Sequence, residues 1–318
     1  MRLVFCGTPE FAVPAFRSLL AQPDFQIVAA ITQPDRPRGR GHAVTYAPVK
    51  EAALAAGVPV HQPEKIRQTD AYALLERLAP DAVVIIAYGQ IIPARLLTIP
   101  KLGWINLHAS LLPKYRGAAP INWAIVNGEH ESGVTTMRID AGMDSGDILL
   151  QETMEIGATE TAPELAARMS ETGARLMPKT LRGLAAGNIA PRAQNHAEAT
   201  VAPMLKKEFG RIEWTLRAGE ICNRIRGFAP WPGTYTRFRG QSCHIWGEPA
   251  SNGAEDGEPP GDFPPGTLFA HRDELSVGCG GATRLRLTAV KLEGRKQITA
   301  AEFLHGARLQ PGERFGQG

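Results

Sequence analysis

AVVIIA (82–87) decides the fold class. It is apolar throughout, of strand length, and too short for a buried helix. A strand with no polar face needs cover on both sides, as in a parallel sheet packed between helices. Working outward, Arg2–Cys6 and Gln26–Thr32 are apolar runs before it, and Gly103–Leu107 and Val134–Ile139 follow it. Helix-like segments alternate with them at Pro14–Gln22, Pro48–Ala56, Ala119–Val126 and Pro163–Ala186. Pro14 suits a first helical turn, where its missing N–H would be unpaired anyway. The alternation predicts the α/β class, with a doubly wound, mostly parallel, Rossmann-like sheet. Such sheets bind ligands beyond the carboxyl ends of their strands.

The texture changes near residue 190. Ile189–Pro203 shows no clear period, and beyond Lys206 short runs are cut by Gly and Pro. Candidate strands there are Gly233–Phe238, His244–Trp246, Gly266–Phe269, Leu275–Val277 and Arg284–Lys291, which suit a small barrel or sandwich; an OB-like β-barrel is expected. The expected organisation is a first domain over 1–189, a linker over 190–205 and a barrel over 206–318. Ser251–Pro265, rich in Gly, Pro and acid, reads as a loop. Trp214, Trp231 and Trp246 are expected in the core, and Phe228–Pro232 as a rigid corner.

Bulk properties narrow the class. The 318 residues are 43% apolar and 21% charged, ordinary for a globular chain. No run of 18 apolar residues predicts a membrane span, and MRLVFCGTPE lacks the pattern of a secretory signal. Cys6, Cys222, Cys243 and Cys279 are scattered, with no C-x-x-C pair for a metal. A cytoplasmic protein without a metal is expected. The net charge of +3 says little by itself about partners.

INLHASLLPKYRGAAPINWAIVNGE (105–129) carries the chemistry. Asn106 and His108, two apart on a strand, share one face. DAGMDSGD (140–147) gathers Asp140, Asp144 and Asp147 among glycines, a composition suited to a loop that places a carboxylate. An amide, an imidazole and a carboxylate suit acyl transfer to an amine. Asn donates to the oxygen on which charge builds, His moves protons, and the carboxylate orients the ring. Taken singly, an Asn-x-His pair is also compatible with plain hydrogen-bonded structure, and Asp144 with a turn. Gly7-Thr8-Pro9 stands where a dinucleotide fold would carry G-x-G-x-x-G, so a nicotinamide oxidoreductase is disfavoured.

The segment 105–129, followed by GVTTMRIDAGMDSGDIL (133–149), resembles the signature of the folate-dependent formyltransferases. FCGTPEFAVP (5–14), TQPDRPRGRG (32–41) and GRIEWTLRAGEICNRIRGFAPWPGTYT (210–236) extend the resemblance over nearly the whole chain. They are similar to the branch of the family whose acceptor is methionyl initiator tRNA. The resemblance implies that 10-formyltetrahydrofolate is the formyl donor. It also implies that Asn106, His108 and Asp144 are catalytic, and that Ser110, Leu111, Leu112 and Pro113 contact the folate. Tyr88 and the strand before it would support the pterin pocket, or be plain core.

By the same resemblance the Gln33–Gly41 loop enters the acceptor stem, with Arg36, Arg38 and Arg40 on phosphates or base edges. Composition alone also allows a solvated surface loop. Lys206 and Lys207 head a basic run in the second domain that suits RNA backbone or a solvated face. A monomer is expected. The rival readings are another acceptor (an amino sugar nucleotide, glycinamide ribonucleotide or water) and an inactive RNA-binding relative, which would not need the Asn–His–Asp trio.

Overall fold

The computed structural model describes residues 1–38, 43–250 and 263–317. The chain divides into two compact units. The first comprises Met1–Pro120, Glu131–Glu155 and Glu164–Pro203; the second comprises Ile121–His130, Ile156–Pro163 and Met204–Gly318. The helices in chain order are α1 (Val13–Leu20), α2 (Pro48–Ala55), α3 (Thr69–Leu78), α4 (Ala94–Leu97), α5 (Pro120–Val126), α6 (Ala162–Ala185), α7 (Ala218–Gly227) and α8 (Ala300–Ala307). No helix among the described residues is long and apolar enough to cross a membrane.

The first unit is built on seven strands: β1 (Arg2–Gly7), β2 (Gln26–Ile31), β3 (Val60–His61), β4 (Ala82–Ile86), β5 (Trp104–His108), β6 (Glu131–Arg138) and β7 (Ile148–Glu155). Their order across the sheet is β3-β2-β1-β4-β5-β6-β7. The first five are parallel. Every residue of β4 is buried, as its lack of a polar face requires.

The mostly parallel class is as expected, with two differences. β6 pairs antiparallel with β5, and β7, which carries no strand signal in its QETME half, pairs antiparallel with β6. A short loop suffices to join antiparallel neighbours, whereas a further parallel strand would need a crossover helix. That loop is the glycine-rich stretch singled out above.

The 24-residue α6 contains Pro178. Proline has no N–H, so the carbonyl four residues back loses its helical donor. That carbonyl, on Ala174, accepts instead from Ser18 Oγ of α1 at 2.8 Å. The hydroxyl thus replaces the missing bond and ties the two helices together.

Tyr88 follows β4 and is 2% exposed, packed in the core with Val4, Cys6 and Ile85. Its hydroxyl is buried and has no hydrogen-bond partner among the described residues. An unpaired buried hydroxyl costs about 1–3 kcal/mol. Tyr88→Phe is therefore expected to leave the melting temperature unchanged or to raise it. A fall of several degrees in calorimetry would show that the hydroxyl has a partner.

The second unit carries an antiparallel sheet of β8 (Tyr235–Phe238), β9 (Gln241–Pro249), β10 (Leu268–His271), β11 (Glu274–Gly278), β12 (Arg284–Leu292) and β13 (Ile298–Thr299). The order is β8-β9-β12-β11-β10, with β13 added on β12. Ile221 of α7 and Phe303 of α8 are buried in its core, beside Val277, Leu285 and Val290. Trp214 lies in this core and stacks on Phe315 at 5.8 Å between centroids.

Trp246 is half-buried, and Trp231 is 53% exposed, contrary to the expected core position. Prolines 230 and 232 bracket Trp231, and the corner closes without it: Gly233 N donates to Phe228 O at 2.9 Å. The span 251–262 lies outside the described residues.

Candidate active site

Asn106 and His108 lie on β5, where they pair in register with Met137 and Thr135 of β6. His108 is almost fully buried. Its Nε2 lies 2.8 Å from the carbonyl of Tyr115. A carbonyl only accepts, so Nε2 must be the protonated nitrogen. Nδ1 is then the atom free to take up or release a proton. It faces Asp144 Oδ2 at 3.7 Å, too far for a hydrogen bond but close enough for charge attraction. The Tyr115 carbonyl thus fixes the Nε2 side of the ring, and Asp144 Oδ2 stands opposite Nδ1. Asn106 is half-buried, and its amide has no hydrogen-bond partner among the described residues. It is a donor left available for a substrate oxygen.

The 139–147 loop starts beside the amino end of β5, because Arg138 pairs with Ile105. To reach His108 it must fold back along that strand. Asp140 Oδ1 accepts from Gly142 N at 3.0 Å and from Ser145 Oγ at 2.9 Å, which shapes the bend. A Cβ on Gly146 would lie 2.0 Å from Arg138 O, so only glycine fits there. Asp147 contributes its backbone carbonyl, which accepts from Arg138 N at 2.9 Å. Asp144 itself has φ 50°, and its Oδ2 accepts from Gly117 N at 2.9 Å.

Two contributors were not legible in the sequence. Gly117 has φ 115°, and a Cβ there would lie 2.8 Å from Ala202 O. Gln194 is 6% exposed, and its Nε2 donates to the carbonyls of Asp144 (2.9 Å) and Gly146 (2.7 Å). Its Oε1 accepts from Arg116 Nη2 at 2.7 Å and Nε at 3.1 Å. The aperiodic stretch around Gln194, which suggested only a linker, clamps the Asp144 loop. It then pairs Val201–Ala202 with Arg116–Gly117. No period marks such a segment, because its order comes from side-chain bonds rather than from a repeating buried face.

Comparison with known proteins gives the family. The formyl transferase family matches residues 1–181, and the formyl transferase C-terminal domain matches residues 204–308. The chain is 50% identical to the methionyl-tRNA formyltransferase of Solibacter usitatus, over 100% of this chain and 99% of the relative. It is 49% identical to that of Koribacter versatilis, over 100% and 99%. The chain belongs to the methionyl-tRNA formyltransferase family. Among solved structures, the sugar 3N-formyl transferase WlaRD superposes with a TM-score of 0.65 at 18% identity, covering 93% of this chain and 99% of that one. At that identity the likeness shows the fold alone.

The Ser110–Pro113 segment is built against β6 and β7. Thr135 Oγ1 donates to Ser110 O at 2.6 Å and accepts from Leu112 N at 3.2 Å. Gln151 Nε2 donates to Leu112 O at 3.0 Å. Ser110 Oγ is engaged by Lys114 O at 2.6 Å. Leu112 is buried with Met137 and Ile148, and Leu111 packs over Gly133, where a Cβ would meet it at 2.6 Å. Pro113 is half-buried after a cis bond.

Arg36 is exposed and lines a cavity of about 690 Å³ with Thr8, Gln33 and Gln90, at the carboxyl ends of β1, β2 and β4. Arg40 lies outside the described residues, as does the side chain of Arg38. In the second unit, Lys206 and Lys207 are exposed. Arg226 and Arg239 of the same basic run are engaged, by Gly157 O at 2.9 Å and by the Glu313 carboxylate.

Proposed function

We propose that this chain transfers the formyl group of 10-formyltetrahydrofolate to the amino group of methionyl initiator tRNA, using Asn106, His108 and Asp144. The observation that carries this reading is an amide and an imidazole on β5 met by a carboxylate from the 139–147 loop, in a member of this family. The carrier supplies a formyl carbon activated by its amine leaving group. Asn106 donates to the formyl oxygen as the acceptor amine adds and charge builds there. His108 Nδ1 faces the exchanging proton, and the Asp144 carboxylate stands opposite it at 3.7 Å. The acceptor nitrogen gives up one proton and the departing carrier nitrogen gains one, so no net proton is consumed.

In this reading Ser110–Pro113 contact the folate. Arg36, Arg38 and Arg40 meet the acceptor stem, and Lys206 and Lys207 meet RNA backbone. A catalytic domain over 1–189 and a tRNA-binding domain over 206–318, working as a monomer in the cytoplasm, complete it. The four free cysteines suit that compartment.

The test is transfer from 10-formyltetrahydrofolate to charged initiator tRNA, with uncharged tRNA and an amino sugar nucleotide as alternatives. Formylmethionine on the charged tRNA alone is expected. Product on the sugar would keep the chemistry and overturn the acceptor. Arg40→Ala is expected to raise KM for tRNA and leave folate binding intact; an equal loss of both would remove Arg40 from the acceptor's side.

A further inference from the structure

We infer that Lys50 is a positioning residue for acceptor recognition, tying together both ends of the arginine-bearing loop. This rests on the reading that Arg36, Arg38 and Arg40 meet the acceptor. Lys50 stands in the first turn of α2, and its side chain is 14% exposed. Its Nζ is paired with the Asp35 carboxylate, at the start of the loop. The same Nζ lies 4.0 Å from the centre of the Tyr46 ring, at the loop's end. It also donates to Gln62 Oε1 at 2.8 Å, just beyond β3.

Gln62 completes the clasp. Its Nε2 donates to Gln33 O at 2.8 Å and to Asp35 Oδ1 at 3.0 Å. One ammonium thus spans the ten residues from Arg36 to Thr45 and anchors their two flanks to the sheet edge. A salt bridge of this kind at an open surface contributes little. Here both partners are mostly buried, the amide fixes their orientation, and the aromatic face adds attraction for the cation. Burial would raise the Asp35 carboxyl, but the hydrogen bonds from Lys50 and Gln62 and the Lys50 charge outweigh it and hold the group below the usual carboxylate range. The Asp35 carboxyl is therefore charged at neutral pH. None of these groups belongs to the Asn106–His108–Asp144 centre. Lys50 is thus expected to govern how the acceptor is met and not the transfer itself.

The experiment compares wild type, Lys50→Met, Asp35→Asn and Tyr46→Ala by two readouts. One is steady-state kinetics in charged tRNA and in folate. The other is the rate of tryptic cleavage after Arg38 and Arg40, the only trypsin sites between the tied ends. Lys50→Met is expected to raise KM for tRNA about five- to twentyfold, leave kcat and the folate KM within about twofold, and speed cleavage at both arginines. Tyr46→Ala and Asp35→Asn should show the same pattern more weakly, and Lys50→Arg should recover part of it.

Unchanged KM and unchanged cleavage would overturn the inference. A raised KM with unchanged cleavage would also overturn it, since Lys50 would then be touching RNA itself. Faster cleavage with unchanged KM would leave the clasp real but refute its role in recognition. A wild-type enzyme that formylates no tRNA would sink the acceptor reading instead, and the cleavage rates would then decide the clasp alone.

Discussion

His108→Ala is expected to lower kcat by about 10²- to 10⁴-fold, the usual worth of a positioned acid–base group, while KM for tRNA changes little. The reason is the ring's polarity. Tyr115 O holds Nε2 at 2.8 Å, so all proton traffic through this side chain must use Nδ1. Removing the ring also strands the Asp144 carboxylate without the group it faces at 3.7 Å. Steady-state kinetics with formylmethionyl-tRNA as product measures the effect. A variant that keeps more than about a tenth of wild-type kcat would contradict the assigned chemistry. A raised tRNA KM with preserved kcat would move His108 from catalysis to binding.

Gln194→Leu comes second, though Gln194 touches no reacting atom. Leucine keeps the volume but leaves the carbonyls of Asp144 and Gly146 without their bonds and the Arg116 guanidinium with only His196. Each buried group so stranded costs about 1–3 kcal/mol. A loss of that order lowers the melting temperature by at least about 5 °C in a chain of this size. The Asp144 loop loses the clamp that turns it back along β5, and a displacement near 1 Å costs about 10²-fold in rate. A drop in kcat of tenfold or more is therefore expected. Gln194→Glu keeps the Arg116 contact but turns an acceptor toward two carbonyls, so it should fail nearly as badly. A Gln194→Leu enzyme with wild-type kcat and melting temperature would show that the loop holds its shape unaided.

These two residues mark how far sequence reached. His108 was legible because a strand has a fixed period: residues two apart share a face, so Asn106 and His108 had to converge. The parallel sheet was legible for the same reason, since AVVIIA has no face to give to water. Gln194 was not, because its role comes from four hydrogen bonds to residues far from it in the chain. Gly117 was hidden likewise: its need for glycine arises from Ala202 O, 85 residues on, which no local pattern reveals. The β6–β7 pair was half legible. The polar QETME half of β7 lies on the sheet edge, where burial no longer imposes an alternation. The helix α7 begins Ala-Gly and carries Cys and Asn, residues of low helix propensity except the alanine, and no helix is expected there from the sequence pattern. Tertiary burial of Ile221, and Glu220 bonding back to Arg217 N at 2.8 Å, decide in its favour.

The return of the chain through Gln194 and Val201–Ala202 also sets when the site exists. Asn106 and His108 are in place once β5 is laid against β4, but Asp144 is locked only when residues 194–202 come back to Arg116–Gly117. The site is thus assembled from contacts up to about 85 residues apart, and its last part needs the chain through Ala202. During synthesis, a nascent chain that has exposed its first 190 residues would already hold most of the sheet and yet lack a working carboxylate. Activity would switch on only as the segment that looked like mere connection arrives.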